Sequence, residues 1–302
     1  MRDFIGYANR PPTTRWPNNA GVAVNFVLNY EEGSEYSLAD GDGRSESALI
    51  EVNAARVPPG SPDLASESMY EYGSRVGFWR VYRLFRERGL PLTIFAAALA
   101  LERNAEVAKA IAETDWDLVA HGYRWIEHYQ LNEATEREHI AKAYSSIEAS
   151  IGRAPQGWYC RYSPTANTRR LVVEHGGFGY DSDAYNDEVP YWVEVAGASH
   201  LVLPYSLVTN DAKILAGGGI ENAADYAQFL IDSFDMLAAE GRTTPRMMSV
   251  GLHPRVIGHP GRVVGLIKFL DHIARQADVW IARRADIAAH WRAVMPALGD
   301  AA

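Results

Sequence analysis

Apolar runs of strand length recur along this chain, each ending in polar or glycine-rich sequence and most followed by residues at helical spacing. VAVNFVL (22–28) leads into the acidic NYEEG. PLTIFAA (91–97) precedes a helix predicted around 104–113, and WDLVAHG (116–122) precedes one around 132–150, with Asn132 as its cap and Glu133 and Glu136 in its first turn. QGWYC (156–160), GFGYDSD (177–183), HLVLPY (200–205), MMSVGLH (247–253) and DVWIAR (278–283) continue the series, and a further helix is expected near 74–89. The runs are continuously apolar rather than alternating, the pattern of parallel strands covered on both faces. Seven or eight such strand–helix units predict an α/β barrel more than an open sheet.

Barrel enzymes build their sites on the loops after the strands. In that register Glu31 and Glu32 follow the first strand, His121 the third and Arg161 the fourth; Asp181 and Asp183 stand at the fifth, and His253 near the end. These polar groups are expected to converge on one mouth. Glu31 and Glu32 are adjacent, so an extended chain would send them to opposite faces, and Gly33 offers a turn. The polar stretch from 34 to 68 is long for a compact domain, and a lid, a subunit contact and a surface excursion are all open. With no repeat and no linker, residues 1–302 read as one domain with a loose tail from about 293.

Composition narrows the function classes. A chain of 302 residues with 47% hydrophobic and 22% charged content is ordinary for a soluble enzyme. The net charge of -9 and the lack of a Lys/Arg cluster argue against nucleic acid as a partner. No run approaches the roughly 20 apolar residues of a membrane span, and the start, MRDFIGYANRPPTTRWP, has no signal-peptide core, so a cytoplasmic protein is expected. The single cysteine, Cys160, rules out an intrachain disulfide and a cysteine-based zinc site, and is expected to be a small buried residue.

The order acidic pair, histidine loop, Arg-x-x-Pro, Asp-rich strand end and late Leu-His resembles the polysaccharide deacetylase (NodB-homology) superfamily. NYEEG, SMYEYGSRVGFWR (68–80), HGYRWIEH (121–128), NTRRLVVEHGGFGYDSDAYNDEVPYW (167–192) and GLHPRVIG (251–258) are similar to its metal-independent allantoinase branch. The resemblance covers nearly the whole chain and implies a distorted (β/α)7 barrel, a homotetramer and no cofactor. In the metal-using members the acidic pair is Asp-Asp, the first a base and the second a ligand, and a His-x-x-x-His pair supplies two more ligands. Here the pair is Glu31-Glu32 and the second histidine position holds Trp125. A metal would be left with Glu32 and His121, with His128 as a distant third, whereas a catalytic zinc normally holds three protein ligands.

Amide hydrolysis without a metal needs a base, donors for the oxyanion and an acid for the leaving nitrogen. The resemblance assigns the base to Glu31, whose burial is expected to raise its basicity. It assigns proton delivery or polarisation of the carbonyl to His253, with His121 beside them. Asp181 and Asp183 are expected to fix the tautomer of His253 or to hold Arg161. Trp125 would form a flat wall, Glu32 would be a hydrogen-bond acceptor, and Arg161, Arg255, Asn167 and Arg169 would bind substrate carbonyls. A cyclic ureide or imide, whose leaving nitrogen bears a second carbonyl, suits such a site better than an acetamido sugar. The loop GWYCRYSPTANTRR departs from the allantoinase form, which leaves allantoin as the leading substrate with cyclic imides and hydantoins close behind. A metal-dependent amino-sugar N-deacetylase and a non-catalytic ligand-binding barrel are the other classes in play.

Overall fold

The computed structural model describes residues 2–52, 57–216, 220 and 222–297. Among these, nine strands form one sheet: β1 (Val22–Tyr30), β2 (Thr93–Ala96), β3 (Asp117–Ala120), β4 (Gly157–Trp158), β5 (Tyr180–Asp181), β6 (Tyr191–Val195), β7 (Ala198–Val202), β8 (Arg246–Leu252) and β9 (Val279–Ile281). Ten α-helices accompany them: α1 (Leu64–Tyr72), α2 (Phe78–Glu87), α3 (Ala98–Arg103), α4 (Ala105–Ala112), α5 (Glu133–Ile151), α6 (Thr168–His175), α7 (Ala223–Gly241), α8 (Pro254–Ile257), α9 (Pro260–Ile273) and α10 (Arg284–Val294). The spatial order is β6-β7-β5-β4-β3-β2-β1-β8, all parallel except the β6–β7 pair. The sheet curls into a half-barrel and does not close between β6 and β8, as in the distorted barrel expected.

β1 is the hub. One edge pairs with β8 over Val22–Leu28, and the other is divided between β9 at Val22–Val24 and β2 at Val27–Tyr30. Its side chains alternate with the strand period. Val22, Val24, Phe26, Leu28 and Tyr30 pack toward the helices, whereas Ala23 and Val27 join the barrel interior with Phe95, Val119, Tyr159 and Tyr205. Asn25 and Asn29 share that inner face. Asn25 meets Arg284, a fully buried guanidinium that also donates to Ser249, Ser182 and the carbonyls of Leu203 and Pro204. The inner face is therefore polar below the mouth, and the odd-numbered series leads to Glu31.

The helix expected around 132–150 begins where its cap signal stands, with Asn132 Oδ1 accepting from Thr135 N at 3.0 Å. Two features differ from expectation. β6 pairs with β7 as an antiparallel hairpin, and α1 begins inside the 34–68 stretch and runs on to Tyr72; of that stretch 53–56 lie outside the described residues. The expected tail from 293 starts inside α10, and 298–302 lie outside the described residues. No helix among the described residues is long and apolar enough to cross a membrane.

Candidate active site

Beyond β1 the chain turns at Gly33 (φ 92°), and Ser34 N–H donates to Glu31 O at 3.0 Å. That turn holds both carboxylates in place. Glu31 continues the inner face and lines a cleft of about 530 Å³ with His121, Trp125, Arg161 and His253, a volume suited to a small molecule. Glu32 points the other way, toward the helical layer, where a Cβ on Gly73 would collide with its Oε1 at 2.3 Å. Yet the two acids meet one cation. Arg255, on the single turn of α8, donates to Glu31 Oε2 at 2.7 Å and to Glu32 Oε1 at 3.3 Å, and its guanidinium is fully buried.

The other oxygen of Glu31 lies 3.0 Å from His121 Nε2 and 3.6 Å from His253 Nε2. His121 Nδ1 faces Tyr159 O at 3.0 Å. A carbonyl only accepts, so Nδ1 donates there and Nε2 is left facing the Glu31 carboxylate. His253 is held from behind by Asp211, whose Oδ1 accepts from Nδ1 at 2.6 Å while Oδ2 accepts from the backbone N–H groups of His253 and Ile257. Asp211 was not among the residues expected here; it sits on a 3-10 turn, Asp211–Ile214, beside β8.

Burial alone would push Glu31 up, but Arg255, His253 and His121 outweigh it and hold its carboxyl down at about 2. The expected gain in basicity is thus reversed. Burial pushes Glu32 up, and neighbouring Glu31 adds to the rise against Arg255. For His253 burial works against the charged form, but Asp211 and Glu31 prevail and its pKa is raised.

Trp125 stands in the cleft wall with the Arg161 guanidinium 3.8 Å over its ring. Arg161 is engaged by Glu46, by Trp125 O at 3.0 Å and by Glu127 at 3.4 Å, so Glu46 and Glu127 hold it rather than Asp181 and Asp183. Asp181 is instead clasped by Arg169 at 2.7 Å and His200 at 3.0 Å, and Asp183 accepts from Cys160 N at 3.0 Å. Neither orients His253, and neither lines the cleft. Asn167 accepts from Arg170 at the start of α6, and it, Arg169, Glu32 and Arg255 are likewise absent from the cleft wall. His128 is buried against Trp158, with Nδ1 3.7 Å from Glu136.

The residues that correspond by resemblance to a metal site do not fit a cation. Glu32 is already paired with Arg255, His121 Nε2 with Glu31, and the third position is an indole. Among the described residues no group of three His, Cys, Asp or Glu side chains is arranged to hold a metal ion.

Residues 65–180 match the family described as polysaccharide deacetylase. A putative polysaccharide deacetylase of Schizosaccharomyces pombe is 40% identical over 98% of both chains, and a peptidoglycan deacetylase of Helicobacter pylori is 28% identical over 73% of this chain and 85% of that one. Among solved structures, a probable polysaccharide deacetylase from Pseudomonas aeruginosa PAO1 is 46% identical with a TM-score of 0.94, covering 98% of this chain and 99% of that one. The crystal structure of Puue allantoinase is 44% identical with a TM-score of 0.94, covering 98% of each.

Proposed function

Because the chain belongs to the polysaccharide deacetylase family of hydrolases, we propose that it opens a cyclic amide with water and without a metal, and that a cyclic ureide or imide is its substrate. The observation that carries this reading is the guanidinium of Arg255 lying against both Glu31 and Glu32. It supplies fixed positive charge at the acidic pair that metal-using members devote to a base and a ligand. The likeness to an allantoinase at 44% identity supports a small heterocycle, with allantoin, hydantoins and cyclic imides as the candidates.

In this reading a water between Glu31 Oε1 and the substrate attacks the ring carbonyl, forming the new C–O bond and passing its proton to Glu31. His253, charged and held by Asp211, gives its Nε2 proton to the nitrogen as the C–N bond breaks. A carboxyl held near 2 is a weak base but releases its proton readily. The 3.6 Å separation of Glu31 Oε1 from His253 Nε2 then returns the proton to the histidine and resets the site. Trp125 forms the flat wall against which a planar ring rests.

A hydrolysis panel on chelator-treated protein tests this: allantoin, hydantoin, dihydrouracil, succinimide and an N-acetylglucosamine oligomer. Ring opening of at least one heterocycle is expected to survive chelation. Turnover of the sugar alone, and only with added metal, refutes the reading.

A further inference from the structure

The mechanism above still lacks a donor for the oxyanion. The three arginines expected to bind substrate carbonyls are spent: Arg255 on Glu31, Glu32 and the carbonyl of Leu49, Arg161 on Glu46, Glu127 and the carbonyl of Trp125, and Arg169 on Asp181. On the proposed reading of this site, we infer that Tyr205 is a catalytic residue whose hydroxyl donates a hydrogen bond to the ring carbonyl oxygen as charge develops on it.

The argument is one of hydrogen-bond accounting around a single oxygen. Tyr205 lies just beyond β7, is 3% exposed, and lines the same cleft as Glu31 and His253. Its hydroxyl oxygen accepts from Asn29 Nδ2 at 3.2 Å and from Asn210 Nδ2 at 3.2 Å. Both amide orientations are fixed independently. Asn29 Nδ2 also donates to Leu252 O at 3.1 Å, and Asn210 Oδ1 accepts from Ala212 N at 2.8 Å, so flipping either amide would set like against like. With both amides donating, the phenolic proton must point elsewhere, and no acceptor among the described residues takes it. The open direction is the cleft.

The surroundings immobilise that hydroxyl. The ring packs between Phe95 and Tyr159, with centroids at 5.2 and 5.1 Å. The floor is Gly251 of β8, where a Cβ would lie 2.2 Å from the Tyr205 oxygen and 2.3 Å from Asn210 Nδ2. The same bonds tie the donor to the acid-base pair: Asn29 stands two residues before Glu31 on the inner face, Leu252 precedes His253, and Asn210 precedes Asp211. Burial pushes the phenol above its ordinary value, so it remains a neutral donor throughout the pH range of an assay. Two amides donating to its oxygen polarise the O–H further. Nothing covalent is asked of the residue; water forms the C–O bond and Tyr205 stabilises the electron pair left on the carbonyl oxygen.

The test is Tyr205→Phe, assayed on whichever heterocycle the wild-type protein turns over. Loss of one such donor is expected to lower kcat by about 10²- to 10³-fold with KM within about threefold of wild type, in a protein that keeps its thermal midpoint. A kcat within threefold of wild type overturns the inference, and so does a loss confined to KM. Should the variant not fold, site-specific mono-, di- and trifluorotyrosine at 205 preserve the shape while strengthening the donor. kcat at neutral pH is then expected to rise with each fluorine, and a flat series overturns the assignment. Wild-type protein inactive on every ring would refute the cyclic-amide reading itself, whereas an active wild type with an unaffected variant refutes only the role of Tyr205.

Discussion

Glu31 and Glu32 are neighbours with different surroundings, and the difference follows from strand alternation followed by one turn. Glu31 lines the cleft while Glu32 faces the helices, and Arg255 ties the two together. The convergence of Glu31, His121, Arg161 and His253 was legible, because each follows an apolar run that became a strand. Asp211, Glu46 and Tyr205 were not. Asp211 opens a 3-10 turn and Glu46 and Tyr205 lie outside helices and strands, and what makes them important is a contact across the fold, such as the 2.6 Å bond from His253 to Asp211. Asp181 and Asp183 miss their expected partners for the converse reason: they stand at the fifth strand, but Arg169 and His200 claim Asp181 locally and Cys160 N–H claims Asp183. Asp211→Asn separates orientation from charge. The carboxylate favours the imidazolium of His253, so its loss lowers the histidine's pKa. The alkaline limb of kcat is expected to move to lower pH, and an unmoved limb argues against His253 as the acid. The stability sign follows the same shift. A histidine raised above 6.5 contributes stability that is fully present below that value and lost as pH rises through its folded value. The variant's deficit in thermal midpoint is therefore expected to be larger at pH 5.5 than at pH 9.

At the scale of elements, the parallel core was readable because buried strands in such sheets are continuous apolar runs. β6 was not, since YWVEV is half-buried at the sheet's edge and is broken by Glu194 rather than continuously apolar. The motif SMYEYGSRVGFWR acquires a physical role only in three dimensions. Its middle, Gly73–Gly77, is a π-helical turn between α1 and α2, and it packs against α8, the element that presents Arg255. A Cβ on Gly77 would lie 2.0 Å from the carbonyl oxygen of Pro254, which is backbone and cannot swing aside. Gly77→Ala is therefore expected to destabilise the fold by about 1–3 kcal/mol and to displace Arg255, lowering kcat well beyond what the loss of folded protein explains. Denaturant unfolding and kcat per active site measure the two effects separately; a stable, fully active variant would show that α8 tolerates the shift.

At the scale of the whole molecule, the acidic balance of -9 is not spread over a solvated surface alone. Burial raises Glu35 to about 7 and Asp117 to about 6, and burial together with the charge of Asp181 raises Asp183 to about 8. Each of these carboxyls holds a proton in the folded chain at a pH where the unfolded chain has released it. Between the ordinary aspartate value of 3.8 and about 8 the folded state thus binds more protons at Asp183, so that residue's contribution to stability falls as pH rises. Asp183→Asn isolates the effect, because an amide resembles the protonated acid: Oδ1 can keep the bond from Cys160 N, and Oδ2 has no partner to lose. The variant is expected to match wild type near pH 4, to gain progressively through neutrality, and to melt about 2–6 °C higher at pH 8. Thermal midpoints of both proteins across that range decide the matter. A difference that does not change with pH would mean that Asp183 is ionised in the fold and that its unpartnered oxygen is satisfied by water.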